Sequence, residues 1–211
     1  MEPNFWHERW QRNEIGFHRD QVHPALPAHW ASLDLPPKRR VLVPLCGKTL
    51  DLRWLAAQGH TVVGVELSEL ACAAFFEEAG LDPARTEHGD FVRWRAEGIT
   101  LLQGNIFDLR EGTFDAIYDR AATVALPPAL RARYAHKLSD VLSPGGQALL
   151  VTLEGTRPYD TGPPFPVDLT ELERCYGTRF HITPLHSREL APGDAPPDLQ
   201  RESQYRLTRR P

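Results

Sequence analysis

From Val41 onward, short apolar runs alternate with stretches of helical periodicity. Residues 41–45 (Val-Leu-Val-Pro-Leu) read as a buried strand, followed by a turn and a helix across 50–55 that Gly59 stops. Residues 61–66 form a second strand, 70–80 a helix, 101–103 a third, shorter strand, and 114–118 a fourth. A helix over 128–141 follows, and Gly145-Gly146 turns the chain into a fifth strand at 147–153. Strands alternating with helices predict an α/β fold with a doubly wound, mostly parallel sheet. Beyond residue 155 the pattern changes to a proline-rich loop, a helix over 169–176, and two late strands at 179–182 and 205–208. These late strands, short and polar, predict an antiparallel edge at the C-terminus. Residues 1–40 lack the alternation: 5–11 read as a helix with Asn4 as N-cap, then come an arm and a helix ending at Pro36-Pro37. The expected organisation is one domain over 1–211, with 1–40 as an N-terminal helical cap.

Composition narrows the function. A chain of 211 residues with 41% apolar and 25% charged positions buries an ordinary core. Its net charge of −4 argues against a nucleic-acid binder. No run approaches the ~18 apolar residues of a membrane span, and the start lacks the pattern of a signal peptide. Cys46, Cys72 and Cys175 are odd in number and widely spaced, which suits free thiols in a reducing cytoplasm. No metal-ligand spacing is present, so no metal is expected.

The chemistry sits at the carboxyl ends of the strands, where open α/β sheets bind ligands. The turn after the first strand, Pro44-Leu45-Cys46-Gly47-Lys48-Thr49, has one glycine and so lacks the G-x-G-x-x-G of a dinucleotide site. It is not a P-loop either, because Leu42 stands where the first glycine of that motif belongs. What remains is Glu66, which ends the second strand 21 residues after Leu45, near the ~20 expected for a carboxylate that accepts ribose hydroxyls. A ribose without a phosphate cradle points to S-adenosyl-L-methionine as cofactor. Residues 142–146 (Leu-Ser-Pro-Gly-Gly) before an apolar strand resemble the turn of many class I methyltransferases. Residues 104–108 (Gly-Asn-Ile-Phe-Asp) occupy the place where such enzymes contact the adenine, and the Asn105 amide can pair with its edge.

The sequence resembles the thiopurine S-methyltransferase family in its bacterial form. The resemblance rests on Trp6-x-x-x-Trp10 with Gly16-Phe17-His18, on Val43-Pro44-Leu45-Cys46-Gly47-Lys48 running to Leu52, and on the segment from Gly59 to Glu69. It continues through 105–108, Tyr118-Asp119-Arg120-Ala121 and Gly162-Pro163-Pro164-Phe165, covering residues 5 to 176. Ala121 departs from the glycine that often follows the Asp-Arg pair. The resemblance implies a class I, Rossmann-like methyltransferase fold. It also implies that Trp10, Leu45, Glu66 and Arg120 contact the cofactor, with Ile106 against the adenine and Phe17 near cofactor and acceptor. An aromatic face at Trp10 attracts a sulfonium, and Arg120 suits a carboxylate or an anionic acceptor. Asp119 is expected to hold the Arg120 guanidinium. Phe165, in a loop stiffened by Pro163, Pro164 and Pro166, is expected to sandwich a flat acceptor against Phe17.

The reading is a cytoplasmic, monomeric enzyme moving a methyl group to the thiolate of small aromatic or heterocyclic thiols. Catalysis comes from positioning, with no dedicated catalytic residue; His7 and His18 are candidate proton acceptors. The alternatives are methylation of selenium or tellurium oxyanion metabolites, of thiocyanate or halide, or a cofactor-binding protein without turnover.

Overall fold

The computed structural model describes residues 3–110 and 112–211. A nine-stranded sheet runs through the molecule: β1 (Arg40–Pro44), β2 (Thr61–Glu66), β3 (Ala84–His88), β4 (Phe91–Ala96), β5 (Ile99–Gln103), β6 (Phe114–Arg120), β7 (Leu142–Gly155), β8 (Phe180–Glu189) and β9 (Leu199–Arg209). Six helices accompany it: α1 (Pro3–Gln11), α2 (Ala25–His29), α3 (Asp51–Ala57), α4 (Glu69–Glu78), α5 (Pro128–Val141) and α6 (Leu169–Tyr176). The strand order is β3-β4-β5-β2-β1-β6-β7-β9-β8. The five central strands, β5-β2-β1-β6-β7, are parallel.

Both edges are antiparallel. The expected C-terminal edge is β9 and β8, which are longer than the polar sequence suggests. The second edge, β3 and β4 paired onto β5, was not anticipated. Parallel and antiparallel pairings are therefore equally represented around a parallel centre. Another difference lies at Gly145, whose φ of +73° permits a bulge inside β7 rather than a turn before it. Helix α1 begins at Pro3, so Asn4 lies within its first turn instead of capping it.

The period-2 alternation of the strands divides the core into two layers. Val41 and Val43 of β1 face α2, α3 and α4, packing with Leu26, Leu52, Phe75 and Trp94. Leu42 faces the other way, toward Tyr134 and Leu138 of α5 and Leu172 and Tyr176 of α6. Gly64 of β2 has no room for a side chain, since a Cβ there would lie 2.6 Å from Cys46 Sγ and from a Leu101 methyl. The resulting close approach seats the β1–α3 turn directly against β2.

Candidate functional site

A cavity of about 1100 Å³ opens at the carboxyl ends of the parallel strands, between the sheet and the N-terminal arm. Its floor is built from strand ends: Leu45 and Gly47 after β1, Glu66 at the end of β2, Asn105 and Ile106 after β5, and Tyr118 and Arg120 of β6. The arm supplies the roof through Trp6, Trp10 and Phe17, whose rings meet edge to face, with Phe17 5.6 Å from Trp6 and 5.8 Å from Trp10. Trp10 reaches over the β1 turn closely enough that a Cβ on Gly47 would lie 3.2 Å from its ring. Gly47 has a φ of +53°, so the turn needs a glycine there for both conformation and space.

Glu66 is 6% exposed and is held by the backbone. Its Oε2 accepts the Gly47 N–H and its Oε1 accepts the Ser68 N–H, both at 2.8 Å. Burial raises its pKa, against these N–H donors, which lower it. A carboxylate has about four lone-pair sites, so two backbone bonds fix its orientation and leave acceptor capacity facing the cavity.

Asn105 caps the 3-10 turn Ile106–Asp108, its Oδ1 accepting the Phe107 N–H at 3.1 Å. One lone pair of the amide oxygen is therefore engaged, which fixes the orientation of the amide at the cavity wall. Arg133 of α5 stacks on Phe107 4.3 Å from the ring centre, at the same end of the cavity. At the other end, Arg120 donates to the Phe17 carbonyl oxygen at 3.1 Å, tying β6 to the arm. Burial lowers the Arg120 pKa, with the neighbouring Tyr118 and Asp51 acting in the opposite direction.

Seven of the sequence-predicted residues thus line one cavity: Trp10, Phe17, Leu45, Glu66, Asn105, Ile106 and Arg120. Phe165 is not among the residues lining it. Phe165 is 4% exposed, its ring packs against Gly162, and its N–H donates to the Val124 carbonyl at 2.7 Å. The loop instead presents Pro163 and Pro164 to the cavity, because the aromatic ring gains more from burial than from the wet rim. Asp119 also differs from expectation. It points away from Arg120 into the α5 side of the core, accepting from Thr123 N and Oγ1 at 3.0 and 2.8 Å and from Tyr134 Oη at 2.8 Å. Successive residues on a strand face opposite sides, so adjacency in sequence separates them in space.

A buried polar group on the arm side of the sheet has no motif that marks it in the sequence. His23 Nε2 lies 3.3 Å from Glu202 Oε2, with both residues buried, and Arg188 Nε donates to Glu202 Oε1 at 3.1 Å. The His23 N–H donates to Asp51 Oδ1 at 2.8 Å. All four residues line the cavity. The available signal was charged residues within the β9 and α3 patterns, which an isolated strand or helix would place in solvent. His18 also lines the cavity, and burial followed by the charge of Lys48 lowers its pKa, leaving it neutral at pH 7. His7 is not part of the cavity wall.

Solved structures share this architecture. The Burkholderia thailandensis 1,6-didemethyltoxoflavin-N1-methyltransferase, bound to S-adenosylhomocysteine, superposes with a TM-score of 0.68 at 18% identity, covering 99% of this chain and 87% of that one. A TehB-like SAM-dependent methyltransferase from Corynebacterium glutamicum gives 0.60 at 16% identity, covering 99% and 98%. The fold is that of the class I methyltransferases. The family profile "Thiopurine S-methyltransferase (TPMT)" matches residues 1–210. Proteins named thiopurine S-methyltransferase are 47% identical over 193 residues in Pseudomonas fluorescens (90% of this chain, 88% of the relative) and 50% identical over 197 residues in Pseudomonas paraeruginosa (92% and 88%). The chain belongs to the thiopurine S-methyltransferase family and is an S-adenosylmethionine-dependent methyltransferase. Among the described residues, no helix is long and apolar enough to cross a membrane.

Proposed function

We propose that this enzyme methylates the sulfur of small aromatic or heterocyclic thiols, in the reducing cytoplasm that suits its three free, buried cysteines. The observation that carries the reading is the convergence of a fixed carboxylate (Glu66), a guanidinium (Arg120) and an aromatic roof (Trp10 and Phe17) on one cavity. The cavity wall fits the cofactor. Glu66 offers acceptors to a ribose, the Asn105 NH₂ and the Ile106 side chain offer a donor and an apolar surface to an adenine, and no phosphate cradle is built. When bound, S-adenosylmethionine supplies an electrophilic methyl group on a positively charged sulfur.

The protein's part is placement. Trp10 and Phe17 exclude water and present ring faces that tolerate positive charge. Arg120 offsets negative charge on a thiolate or its ring nitrogens, favouring the ionised acceptor. Neutral His18 can take a proton from an acceptor that arrives as a thiol. Pro163 and Pro164 form a stiff wall beside the acceptor. Holding nucleophile and methyl carbon in line at near-attack distance is the main source of rate.

The test is transfer of labelled methyl to 6-mercaptopurine, selenite and iodide, compared at equal concentrations. Preferential methylation of 6-mercaptopurine supports the reading. A preference for selenite or iodide moves the function to soft inorganic nucleophiles, and cofactor binding without any product makes the protein a binder.

A further inference from the structure

One wall of the cavity is the loop that joins β8 to β9, which contributes Leu190, Gly193, Asp194, Ala195 and Pro196. In the sheet order β9 stands four strand spacings from β2, about 19 Å. With the ribose on Glu66 at the end of β2, this wall lies on the side from which the acceptor enters. The loop is held at both ends. The Leu190 N–H donates to the Gln200 carbonyl at 2.8 Å, the Asp194 N–H donates to the Ala191 carbonyl at 3.0 Å, and Arg157 donates to Asp198 at 2.9 Å.

Arg188, near the end of β8, also lines the cavity. Its Nε donates to Glu202 Oε1 at 3.1 Å, and Glu202 is buried and faces His23 as well, so that edge of the guanidinium is fixed from inside. Its Nη1 meets Asp194 Oδ2 of the loop at 3.4 Å, where the two side chains are 35% and 37% exposed. A guanidinium presents five N–H donors in a planar fork that matches a carboxylate. The chain thus supplies that fork with a carboxylate of its own. Two carboxylates face one guanidinium, and the excess charge at this wall is negative. A second anionic group on an acceptor finds Arg188 already paired and a like charge beside it. An exposed pair of this kind adds little to stability, so its consequence lies in selection. We infer that Asp194 is a specificity-determining residue of the acceptor site. By engaging Arg188 and adding its own charge, it disfavours thiols whose ring carries a carboxylate and favours thiols whose ring is otherwise uncharged. The inference rests on the proposed S-methylation of aromatic thiols.

Steady-state kinetics with two acceptors of similar size test it: 4-mercaptobenzoate, with a carboxylate opposite the thiol, and 4-methylbenzenethiol, with an uncharged methyl there. Asp194→Asn keeps the shape of the side chain and removes its charge. It should lower KM for 4-mercaptobenzoate roughly tenfold with kcat unchanged, and leave KM for 4-methylbenzenethiol within about twofold. Asp194→Glu, which returns the charge, should restore the ratio of the unsubstituted enzyme. Calorimetric titration should find S-adenosylhomocysteine affinity the same in all three proteins. Equal changes for both thiols would make Asp194 scaffold for the loop, no change for either would take it out of the acceptor's path, and altered S-adenosylhomocysteine affinity would assign this wall to the cofactor. Each of these overturns the inference while the methylation of thiols stands. If the unsubstituted enzyme binds S-adenosylhomocysteine and methylates neither thiol, the S-methylation reading fails and the inference fails with it.

Discussion

Glu66 reaches its position already committed to two backbone N–H groups, so its replacement must be chosen to spare them. Alanine would orphan both buried donors, whereas glutamine keeps an acceptor and removes the charge. Glu66→Gln should weaken S-adenosylhomocysteine binding by about 2 kcal/mol, roughly 30-fold, in a variant that unfolds at nearly the native temperature. Unchanged affinity by titration calorimetry would take Glu66 out of the ribose site. Ala121, next to Arg120, carries a different strain: its φ is +64°, in the left-handed region that costs a side chain about 1–2 kcal/mol. Glycine adopts that backbone freely and loses about 0.5–1 kcal/mol to chain entropy. Ala121→Gly should therefore be mildly stabilising, raising the unfolding temperature by about 1–3 °C in calorimetry. A fall would show that the Ala121 methyl contributes more through packing than its backbone costs. Both residues were visible in the sequence, Glu66 by its distance from the first turn and Ala121 by standing where a glycine is common. Asp51 and Tyr118, which also line the cavity, were not. An acidic residue in a first helical turn is ordinary, since it favours the helix dipole, and a tyrosine within an apolar strand is ordinary core.

Elements with a strong periodic signal were legible nearly to the residue. Helix α5 spans Pro128–Val141 and α6 spans Leu169–Tyr176, as their apolar spacing and flanking residues predict. The β3–β4 edge was hidden because β3, Ala-Arg-Thr-Glu-His, is almost entirely exposed and has no alternation to detect. An edge strand needs no apolar face when its neighbour supplies the core contact, here Trp94 of β4. β9 is longer than its sequence pattern suggests for the opposite reason: it buries charged and polar side chains, Glu202, Ser203 and Gln204. Glu202 links three segments, receiving Arg188 from β8 and facing His23 from the arm. Burial alone would raise its pKa, but His23 and Arg188 outweigh that and hold it at about 2, below the ordinary 4.5. A native pKa below the unfolded one gives stability that is complete above pH 4.5 and is lost as pH falls toward 2. Glu202→Gln should be less stable than the unsubstituted protein at pH 6, with the difference shrinking between pH 4.5 and 2. Parallel stability–pH curves from denaturant titration would show that Glu202 carries no linked proton.

At the scale of the molecule, the site exists only where two unlike parts meet. The sheet provides a rigid floor whose strand ends are fixed by five parallel neighbours. The arm provides a roof of modest intrinsic stability: α1 contains no fully buried residue and stays docked through Trp6, Trp10 and Phe17 and the Arg120 bond to the Phe17 carbonyl. Segments with few buried contacts open locally at low free energy. If that opening also releases the ligand, binding must oppose it by mass action, about 2.7 kcal/mol at a ligand concentration 100 times Kd. Amide exchange in α1 and in residues 13–20 should then slow by up to about 100-fold when S-adenosylhomocysteine is present. The β3–β4 hairpin is the internal control. It sits at the sheet edge, its strands contribute no residue to the cavity wall, and its local opening leaves the ligand in place, so its exchange should not change. Exchange mass spectrometry that finds the arm as unaffected as the hairpin would mean that the arm is a fixed cap and that the cavity fills through another opening. Slowing confined to the arm and the strand ends would make the arm a closure whose stability comes in part from the ligand it covers.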